Sequence, residues 1–551
     1  MVIKRLFVVS AIILFSILTL KPLVSKGFFP MHDDAQIARV VTMGRALSHG
    51  QFPVRMVGDL GYGYGYPLFN FYGPLPYYVG GTFYVLGVSG LVATKLMIGI
   101  GIVLCGIGMF MLASSFFGMY GGLLSSMLYM FLPYRAVQLY VRGAVGEIWA
   151  SACIPFIVYG LSLLWKKQTK KGIYIGGLGV AGIILSHTVF GYITIGLVAF
   201  LGILCFVLFL CKRIKKDVIM GVGFTILIGL GISAFFWLPA FGEMKYTNVS
   251  SVIGTTADYH KHFVCLPQLW DSPWGFGGSA EGCIDGMSFK IGKVHILLFI
   301  LAWIVFLLRK KEKKISWMMG ISLGLVLLGI LGMTAWSAPL WDIIPYSSFV
   351  QYPWRLLSFV GCFMAFASGY LLYGLNTKKA IVGLGACICM LLYINLKLFT
   401  PQYLYERPLD SYESQEELQY RASRVSDEYL PTGIPKPQTA NERITTRLTS
   451  HEGFSVVVHK ETETQGIYTV TRETSGNVRF SMAYFPGWEF LINGKKVIPD
   501  IVDGMPSVIL SKGISEVNVR FSNTPIRTLA NGITIVTCLG IIMFLCKKNP
   551  Q

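Results

Sequence analysis

Long apolar runs separated by short basic connectors constrain the fold of this 551-residue sequence more than any other feature. With about 20 residues needed per membrane span, they predict helices near 5–23, 92–113, 118–133, 148–165, 172–188, 190–210, 218–240, 293–308, 316–333, 355–374, 380–398 and 527–546. Basic clusters occur in the connectors 166–171, 212–216, 309–314, 378–379 and 547–548. Because cytoplasmic loops are enriched in lysine and arginine, these connectors are predicted to be cytoplasmic. The even number of spans then places both termini in the cytoplasm.

Composition supports an integral membrane protein. Hydrophobic residues make up 54% of the chain and charged residues 14%, and the mean hydropathy is +0.59. This balance is typical of polytopic membrane proteins and not of soluble ones. The net charge of +19 is concentrated in the connectors, so nucleic-acid binding is not expected.

Three long segments, 24–91, 241–292 and 399–526, are predicted to lie outside the membrane on the extracytoplasmic side. The third contains short runs of β-formers, and its Asn493-Gly494 pair is a strong hairpin signal. We therefore expect a membrane domain over 1–398, an extracytoplasmic linker and β-sandwich-like domain over 399–526, and a final helix with a short cytoplasmic tail over 527–551.

The first external segment begins with two adjacent carboxylates, Asp33 and Asp34. Acidic groups next to a membrane are costly to desolvate and are often retained for chemistry, so both are candidate catalytic residues. A structural alternative is that Asp34 caps the amphipathic helix predicted over 35–47. The apolar stretch 77–90 that follows fits a helix lying along the outer interface.

Aromatic and glycine-rich stretches follow in the external segments. Tyr64, Tyr66 and Asn70 lie in a Gly/Tyr/Pro loop that suits a sugar or lipid head group, although tyrosines also form interfacial belts. Trp274 lies in the second external segment and is a further candidate contact for substrate. Cys265 and Cys283 lie in that same segment, where an oxidising environment would allow a disulfide.

Further charged and aromatic residues occur near the outer ends of predicted helices. Arg142 and Arg355 are candidate ligands of a lipid phosphate, which a guanidinium binds with two parallel hydrogen bonds. The alternatives are a structural ion pair between Arg142 and Glu147 and an interfacial anchoring role for Arg355. His187 fits a hydrogen-bonded interior histidine or a substrate contact. Substrate-binding candidates in this group are Arg142, Glu147, His187, Trp354 and Arg355.

The sequence carries no HExxH, paired CxxC, Walker A or Gly-x-Ser-x-Gly motif in a supporting context. No zinc, ATP or serine chemistry is therefore predicted, and a nucleotide-sugar enzyme on the inner face is disfavoured. No metal-ligating residues are assigned.

Several motifs together resemble the bacterial YfhO-like membrane proteins, in the branch named for a 6-pyruvoyl-tetrahydropterin synthase-related domain. These motifs are at 32–34, 63–72, 140–144, 272–275 and 351–355, with 484–488 and 493–494 in the C-terminal domain. The resemblance implies a bacterial cytoplasmic membrane protein. It does not imply pterin chemistry, because nothing here resembles the soluble pterin enzyme.

The arrangement of that family is similar to the GT-C glycosyltransferases, which take a sugar from a polyprenyl-phosphate carrier on the outer face. This similarity implies that Asp33 or Asp34 is the catalytic base and that Arg142 or Arg355 binds the carrier phosphate. The acceptor would be a cell-envelope glycan, lipid or protein. A divalent cation bridging aspartate and phosphate is compatible with the sequence but not required. The alternatives are a polytopic transporter or lipid flippase, and a non-catalytic envelope assembly factor.

Overall fold

A computed structural model describes residues 2–212, 215–249, 258–309, 313–449 and 453–546. Basic-cluster residues 213–214, 310–312 and 547–548 lie outside the described residues. The chain forms two compact units, each assembled from separate segments. The first unit comprises 1–32, 95–231 and 253–406, and the second comprises 33–94, 232–252 and 407–551. The domain boundaries predicted after 398 and 526 divide the chain into consecutive segments, unlike these two units, and they stay predictions.

The first unit is built almost entirely of helices. Its helices are Val2–Thr19, Lys21–Val24, most of Gly90–Met130, Pro133–Tyr140, Val145–Trp165, Thr169–Ser186, Thr188–Leu210, Lys216–Ile232, Leu266–Trp270, Lys293–Leu308, Lys313–Gly332, Ala338–Ile343, Leu357–Ser368 and Thr377–Asn395. Gly118 interrupts the longest of them with φ 74° and ψ −175°, which is backbone that glycine adopts readily. This break lies at the division between the predicted spans 92–113 and 118–133.

Every predicted span falls on helical structure, but the number of membrane crossings stays a prediction. Among the described residues, seven helices are long and apolar enough to cross a membrane. The number is eight if the broken pair Lys216–Ile232 and Ala234–Tyr246 counts as one span. The sequence predicted a single helix over 218–240, whereas the structure interrupts it at Ser233. Two glycines before the break and Pro239 after it weaken a continuous helix.

Close backbone contact joins two neighbouring helices of the first unit, Val145–Trp165 and Thr169–Ser186. A Cβ atom placed on Gly160 would lie 2.4 Å from the backbone nitrogen of Gly176 and 2.7 Å from the carbonyl oxygen of Gly172. Small residues allow the two backbones to approach this closely. Because the hydrophobic effect does not drive helices together in lipid, such dense packing is what stabilises the pair. This helical hairpin holds Glu147 at its beginning.

In the loop of the first unit before Lys293, Cys265 and Cys283 form a disulfide, with their Cα atoms 5.6 Å apart. Ser272 in the same loop donates a hydrogen bond to Asp285, and its backbone carbonyl accepts one from Ser288. The loop is therefore held by covalent and polar contacts as well as by its aromatic residues.

The second unit combines short helices with two antiparallel sheets. Its helices are Gln36–Ser48, Leu75–Val85, Ala234–Glu243, Ala422–Val425 and Pro525–Cys546. The first two confirm helices at the positions where the sequence predicted an amphipathic helix and an apolar interfacial one. Gln36–Ser48 buries most of its residues, including Ile37, Val40 and Val41.

The strands of the second unit are β1 Phe454–Glu461, β2 Gln465–Arg472, β3 Gly476–Arg479, β4 Trp488–Ile492, β5 Lys495–Val497, β6 Asp500–Val502, β7 Met505–Leu510 and β8 Gly513–Phe521. One sheet has the order β1-β2-β8-β4-β5 and the other β3-β7-β6. Buried Tyr468 and Phe490 from the first sheet share one core with Val508 from the second, as in a sandwich. Asn493 and Gly494 both have positive φ, which confirms the predicted hairpin between β4 and β5.

A buried ionic network holds three distant segments of the second unit together. Glu243 accepts hydrogen bonds from Arg527 Nε at 3.0 Å, from Asn70 Nδ2 at 2.8 Å and from Thr524 Oγ1 at 2.6 Å. Arg55 donates to Asn70 Oδ1 at 3.0 Å. Arg527 and Asn70 are both fully buried. The charges of Arg527 and Glu243 thus compensate each other, as buried charges require, whereas Arg55 is held by neutral oxygens of Asn70, Asn531 and Phe235.

We predict that Glu243→Ala destabilises the protein by about 3–5 kcal/mol, because it leaves the buried Arg527 without its counter-charge. The thermal unfolding midpoint of the full chain in detergent measures this loss. Glu516→Ala, at an exposed position of β8, is the matched control and should change stability by less than about 0.5 kcal/mol. Equal midpoints for the two variants would contradict a stabilising role for the network.

Candidate functional site

The first unit holds a buried carboxylate surrounded by cationic and polar groups. Glu147 lies in the first turn of Val145–Trp165 and is fully buried. Its Oε1 lies 2.8 Å from Arg142 Nη1 and 3.0 Å from Arg355 Nε. Its Oε2 accepts hydrogen bonds from Tyr134 at 2.9 Å and from Gln138 at 3.1 Å. We call these five residues the Glu147 cluster.

His187 lies beside the Glu147 cluster and caps a helix. Its Nδ1 accepts a hydrogen bond from the backbone N–H of Phe190 at 3.3 Å, at the beginning of Thr188–Leu210. An accepting Nδ1 carries no proton, so the ring is neutral and its proton is on Nε2. That nitrogen is 4.0 Å from Glu147 Oε1. The sequence alternative of a hydrogen-bonded interior histidine matches this geometry.

Trp354 and Tyr352 stack on each other, and each ring lies against one arginine of the cluster. The Arg142 guanidinium lies 4.6 Å from the centre of the Trp354 ring, and the Tyr352 ring stacks on Trp354 at 5.0 Å. Arg355 in turn lies 4.9 Å from the centre of the Tyr352 ring. Trp354 is buried, and its indole Nε1 has no hydrogen-bond partner among the described residues. A buried donor of this kind is costly unless a ligand or water accepts its hydrogen bond.

The cluster carries an excess of positive charge. Two guanidinium groups face one carboxylate, and the nearby histidine is neutral. Arg355 also donates through Nη1 to the Val350 carbonyl at 2.6 Å and to Gln351 Oε1 at 3.2 Å. Together with its contacts to Glu147 and to the Tyr352 ring, these bonds fix the position of its guanidinium group. Such a fixed, net-positive group with aromatic walls can bind a phosphate or another anion.

Asp33 and Asp34 both lie in the second unit. Asp34 does not cap the helix Gln36–Ser48, whose N-cap is Ala35 without a side-chain hydrogen bond. The pKa of Asp34 is raised to about 6 by burial and by the negative charge of Glu417, against the opposing charge of Arg407. By its accessible surface, however, Asp34 is an exposed residue, so solvent reaches its carboxyl group. A carboxyl group with a pKa near 6 is a competent general base at neutral pH.

Asp33 lies near a buried arginine of the same unit. It interacts electrostatically with Arg39, whose guanidinium lies 4.2 Å from the centre of the Tyr72 ring. Arg39 is buried, and its Nη1 has no hydrogen-bond partner among the described residues. Glu428 interacts with the same arginine, and burial raises the pKa of its carboxyl group. Asp33 and Asp34 thus lie in different charge environments although they are adjacent.

The remaining predicted site residues take packing positions or lie in the disulfide-bonded loop. Tyr64 and Tyr66 are buried, and the Tyr66 hydroxyl donates to the Ser426 carbonyl at 3.0 Å. Asn70 belongs to the buried network around Glu243. Trp274 is half-buried and packs against Phe276, with Lys290 Nζ 5.8 Å from its ring centre. Their roles as substrate contacts stay predictions.

Sequence reasoning missed several residues that complete these groups. Tyr134 and Gln138 belong to the Glu147 cluster, and Ser358 extends it, because Gln138 Nε2 donates to Ser358 Oγ at 3.0 Å. Arg39 and Glu417 complete the surroundings of the acidic pair. Polar residues inside an apolar run were the available signal for Ser358, because such residues in membrane helices usually face a partner.

No cation site is formed by three or more histidine, cysteine, aspartate or glutamate side chains in the part of the chain that the structure describes. The acidic pair therefore offers at most two adjacent carboxylates for a cation, and a phosphate from a substrate would have to complete the coordination.

Solved structures that are similar to this chain include an arabinofuranosyltransferase and an oligosaccharyltransferase. The arabinofuranosyltransferase AftD from Mycobacteria is 14% identical, with a TM-score of 0.45 over 73% of this chain and 28% of that chain. The oligosaccharyltransferase of Archaeoglobus fulgidus in its apo form is 12% identical, with a TM-score of 0.44 over 82% of this chain and 62% of that chain.

Comparison by sequence identifies a relative and a family. A protein of Lactococcus lactis subsp. cremoris (strain MG1363), named "Uncharacterized protein", is 27% identical over 300 residues, or 52% of this chain. The match spans 47% of that relative, so this chain covers about half of its length. The profile of the 6-pyruvoyl-tetrahydropterin synthase related domain, described as a membrane protein, matches residues 69–400. Since this match covers more than half of the sequence, the chain belongs to the 6-pyruvoyl-tetrahydropterin synthase related family of membrane proteins.

Proposed function

We propose that this protein is a membrane glycosyltransferase that moves a sugar from a polyprenyl-phosphate carrier to a cell-envelope acceptor. The observation that carries the proposal is the buried Glu147 cluster, with two arginines for one carboxylate. Beside them lies the indole N–H of Trp354, which has no hydrogen-bond partner in the described part of the chain. The GT-C resemblance of the sequence motifs agrees with this reaction.

Charge balance favours a phosphodiester as the ligand of the Glu147 cluster. A buried charge without a counter-charge is strongly unfavourable. Two arginines contact the single carboxylate of Glu147, and a third buried arginine, Arg135, is hydrogen-bonded to Gln138 of the cluster. The polyprenyl-phosphate sugar carries a single negative charge, which would reduce this excess of positive charge. Arg355 and Trp354 can donate hydrogen bonds to its phosphate oxygens. As the bond from the anomeric carbon breaks, the same groups stabilise the negative charge that grows on the leaving phosphate.

Asp34 supplies the base in this proposal. An acceptor hydroxyl attacks the anomeric carbon, its oxygen forms the new glycosidic bond, and its proton passes to the Asp34 carboxylate. The bond between the anomeric carbon and the phosphate oxygen breaks, and the carrier phosphate leaves with the electron pair. No oxidant or nucleotide is consumed. Asp33, which stands beside it in a different charge environment, is the alternative base.

The proposed location is the outer face of the bacterial cytoplasmic membrane, with twelve spans and both termini in the cytoplasm. The disulfide between Cys265 and Cys283 supports an extracytoplasmic position for the loop 241–292, because disulfides persist in oxidising compartments. The basic connectors support a cytoplasmic location for the helix ends that they join.

We predict that Asp34→Asn lowers sugar transfer by about 10²–10⁴-fold, the contribution of a general base. In wild-type membranes the rate should fall as the pH drops through about 6, because the Asp34 carboxylate becomes protonated there. Mass spectrometry of envelope glycans in the native host, and transfer in isolated membranes at varied pH, measure these effects.

Asp410→Asn, at an exposed position of the same unit, is the control for Asp34→Asn and should behave as wild type. Unchanged glycans in both Asp33→Asn and Asp34→Asn, at normal expression, would remove the transferase proposal. If glycans persist in these variants but are lost when Arg355 is replaced, the cluster serves lipid transport instead.

We predict that Arg355→Gln weakens binding of a polyprenyl phosphate by about 10–100-fold, since a hydrogen bond to a charged group is worth about 1.5–3 kcal/mol. Binding to purified protein in nanodiscs is compared with binding of the matching polyprenol, which lacks the phosphate. Arg421→Gln, at an exposed arginine, should leave the affinity unchanged. Equal affinity of the wild-type protein for the phosphate and the polyprenol would contradict phosphate recognition.

A further inference from the structure

The second unit contains a polar cavity that includes neither Asp33 nor Asp34. Its volume is about 270 Å³. It lies among the helix Gln36–Ser48, the turn that contains Asp59, the linker before β1, and the hairpin between β1 and β2. Its buried lining includes Thr42, Gln419, Arg447 and Glu463. We call it the linker cavity.

Most charged groups of the linker cavity already have a side-chain partner. Arg45 Nη1 lies 2.7 Å from Asp59 Oδ2, and His49 Nδ1 lies 2.7 Å from Glu463 Oε2. The third carboxylate, Glu461, accepts a hydrogen bond from Tyr468 at 2.6 Å. No excess of positive charge is present, in contrast to the Glu147 cluster. An anionic ligand would therefore meet more carboxylates than unpaired cations.

Two buried polar groups in the lining lack partners. Arg447 Nη1 and Gln419 Oε1 have no hydrogen bond in the described part of the chain, and both side chains are more than nine-tenths buried. Arg447 is held in place, since its Nη2 donates to the Glu463 carbonyl at 3.2 Å and its guanidinium lies 5.2 Å from the centre of the Trp488 ring. One fixed donor and one fixed acceptor are thus left unsatisfied, and a buried unsatisfied group costs about 1–3 kcal/mol.

A neutral molecule rich in hydroxyl groups suits this lining. Each hydroxyl both donates and accepts, so a polyol can satisfy Arg447 and Gln419 together and can also bond to the threonines of the rim. A lipid chain would find few apolar groups, because the lining is mostly polar. A free phosphate would lie among Asp59, Glu461 and Glu463.

We propose that the linker cavity binds a neutral carbohydrate and forms the subsite for the acceptor glycan. Carbohydrate binding stands on the cavity itself, whereas the acceptor role rests on the proposed glycosyltransferase function. Arg447 donates to a sugar oxygen and Gln419 accepts from a sugar hydroxyl. The exposed rim residues Thr445, Thr446 and Gln415 border the opening.

Blocking variants test the carbohydrate site directly. Thr446→Trp places a large side chain at the rim without removing a buried partner, and Gln415→Trp does so at a second rim position. Thr474→Trp, at an exposed position after β2 and away from the lining, is the matched control. Binding of chitobiose, cellobiose and maltose to the purified full chain is measured by saturation-transfer NMR, with glycerol 3-phosphate as the anionic probe.

The expected result is millimolar or tighter binding of at least one disaccharide, and weaker or no binding of glycerol 3-phosphate. Thr446→Trp or Gln415→Trp should weaken disaccharide binding at least about tenfold, with an unchanged thermal midpoint, and Thr474→Trp should not. The same blocking variants should leave affinity for the polyprenyl phosphate unchanged.

The inference is overturned if none of the disaccharides binds, or if both folded blocking variants bind as wild type does. This failure is distinguishable from failure of the proposed function. If only the cavity inference fails, no disaccharide binds, but glycan composition still depends on Asp34. If only the transferase proposal fails, disaccharides still bind, but glycan composition does not depend on Asp34.

Discussion

Compensation of the Glu147 charge is the interaction on which the first unit depends. A carboxylate with no exposed surface can remain ionised only where cations and hydrogen-bond donors replace its hydration. Arg142, Arg355, Tyr134 and Gln138 supply that replacement from different segments of the chain. The same contacts fix the orientation of both arginines. An anion-binding group that is positioned before its ligand arrives loses little entropy on binding.

The second unit uses the same physical solution at Glu243. There Glu243, at the end of the helix Ala234–Glu243, accepts hydrogen bonds from Arg527 of the helix Pro525–Cys546 and from Asn70. Each network contains two buried arginines and one carboxylate, Arg55 and Arg527 at Glu243 and Arg142 and Arg355 at Glu147. They differ in their surroundings, since Arg55 is held by Asn70, Asn531 and the Phe235 carbonyl, whereas the Glu147 cluster lies beside an indole N–H of Trp354 that has no partner among the described residues.

Much of the local structure could be predicted from sequence, because it depends on neighbouring residues. Apolar runs mark the helices, alternating β-formers mark most strands, and Asn493-Gly494 marks the hairpin between β4 and β5. β6 escaped prediction because Asp500–Val502 is a short, exposed strand without an apolar pattern. The break at Ser233 also escaped, since glycine is common in continuous membrane helices.

The candidate site was only partly predictable, because its contacts join residues far apart in sequence. Arg142, Glu147, His187, Trp354 and Arg355 could be selected as polar or aromatic residues at helix ends, and the structure brings these five together. Tyr64 and Tyr66 could not be recognised as packing residues, because a Gly/Tyr loop looks the same whether it is buried or exposed. The raised pKa of Asp34 depends on Glu417, which no local pattern connects with it.

The discontinuous second unit has a consequence for biosynthesis. Arg55 is hydrogen-bonded to Asn531, 476 positions later in the chain. The ribosome therefore releases the first external segment long before the residues that complete its core exist. Until the helix Pro525–Cys546 has been synthesised, the apolar side chains of that segment stay exposed. Exposed apolar side chains favour chaperone binding or proteolysis. Deleting the carboxyl-terminal region would thus leave an orphaned amino-terminal segment, and would not yield a simple enzyme without its β-domain.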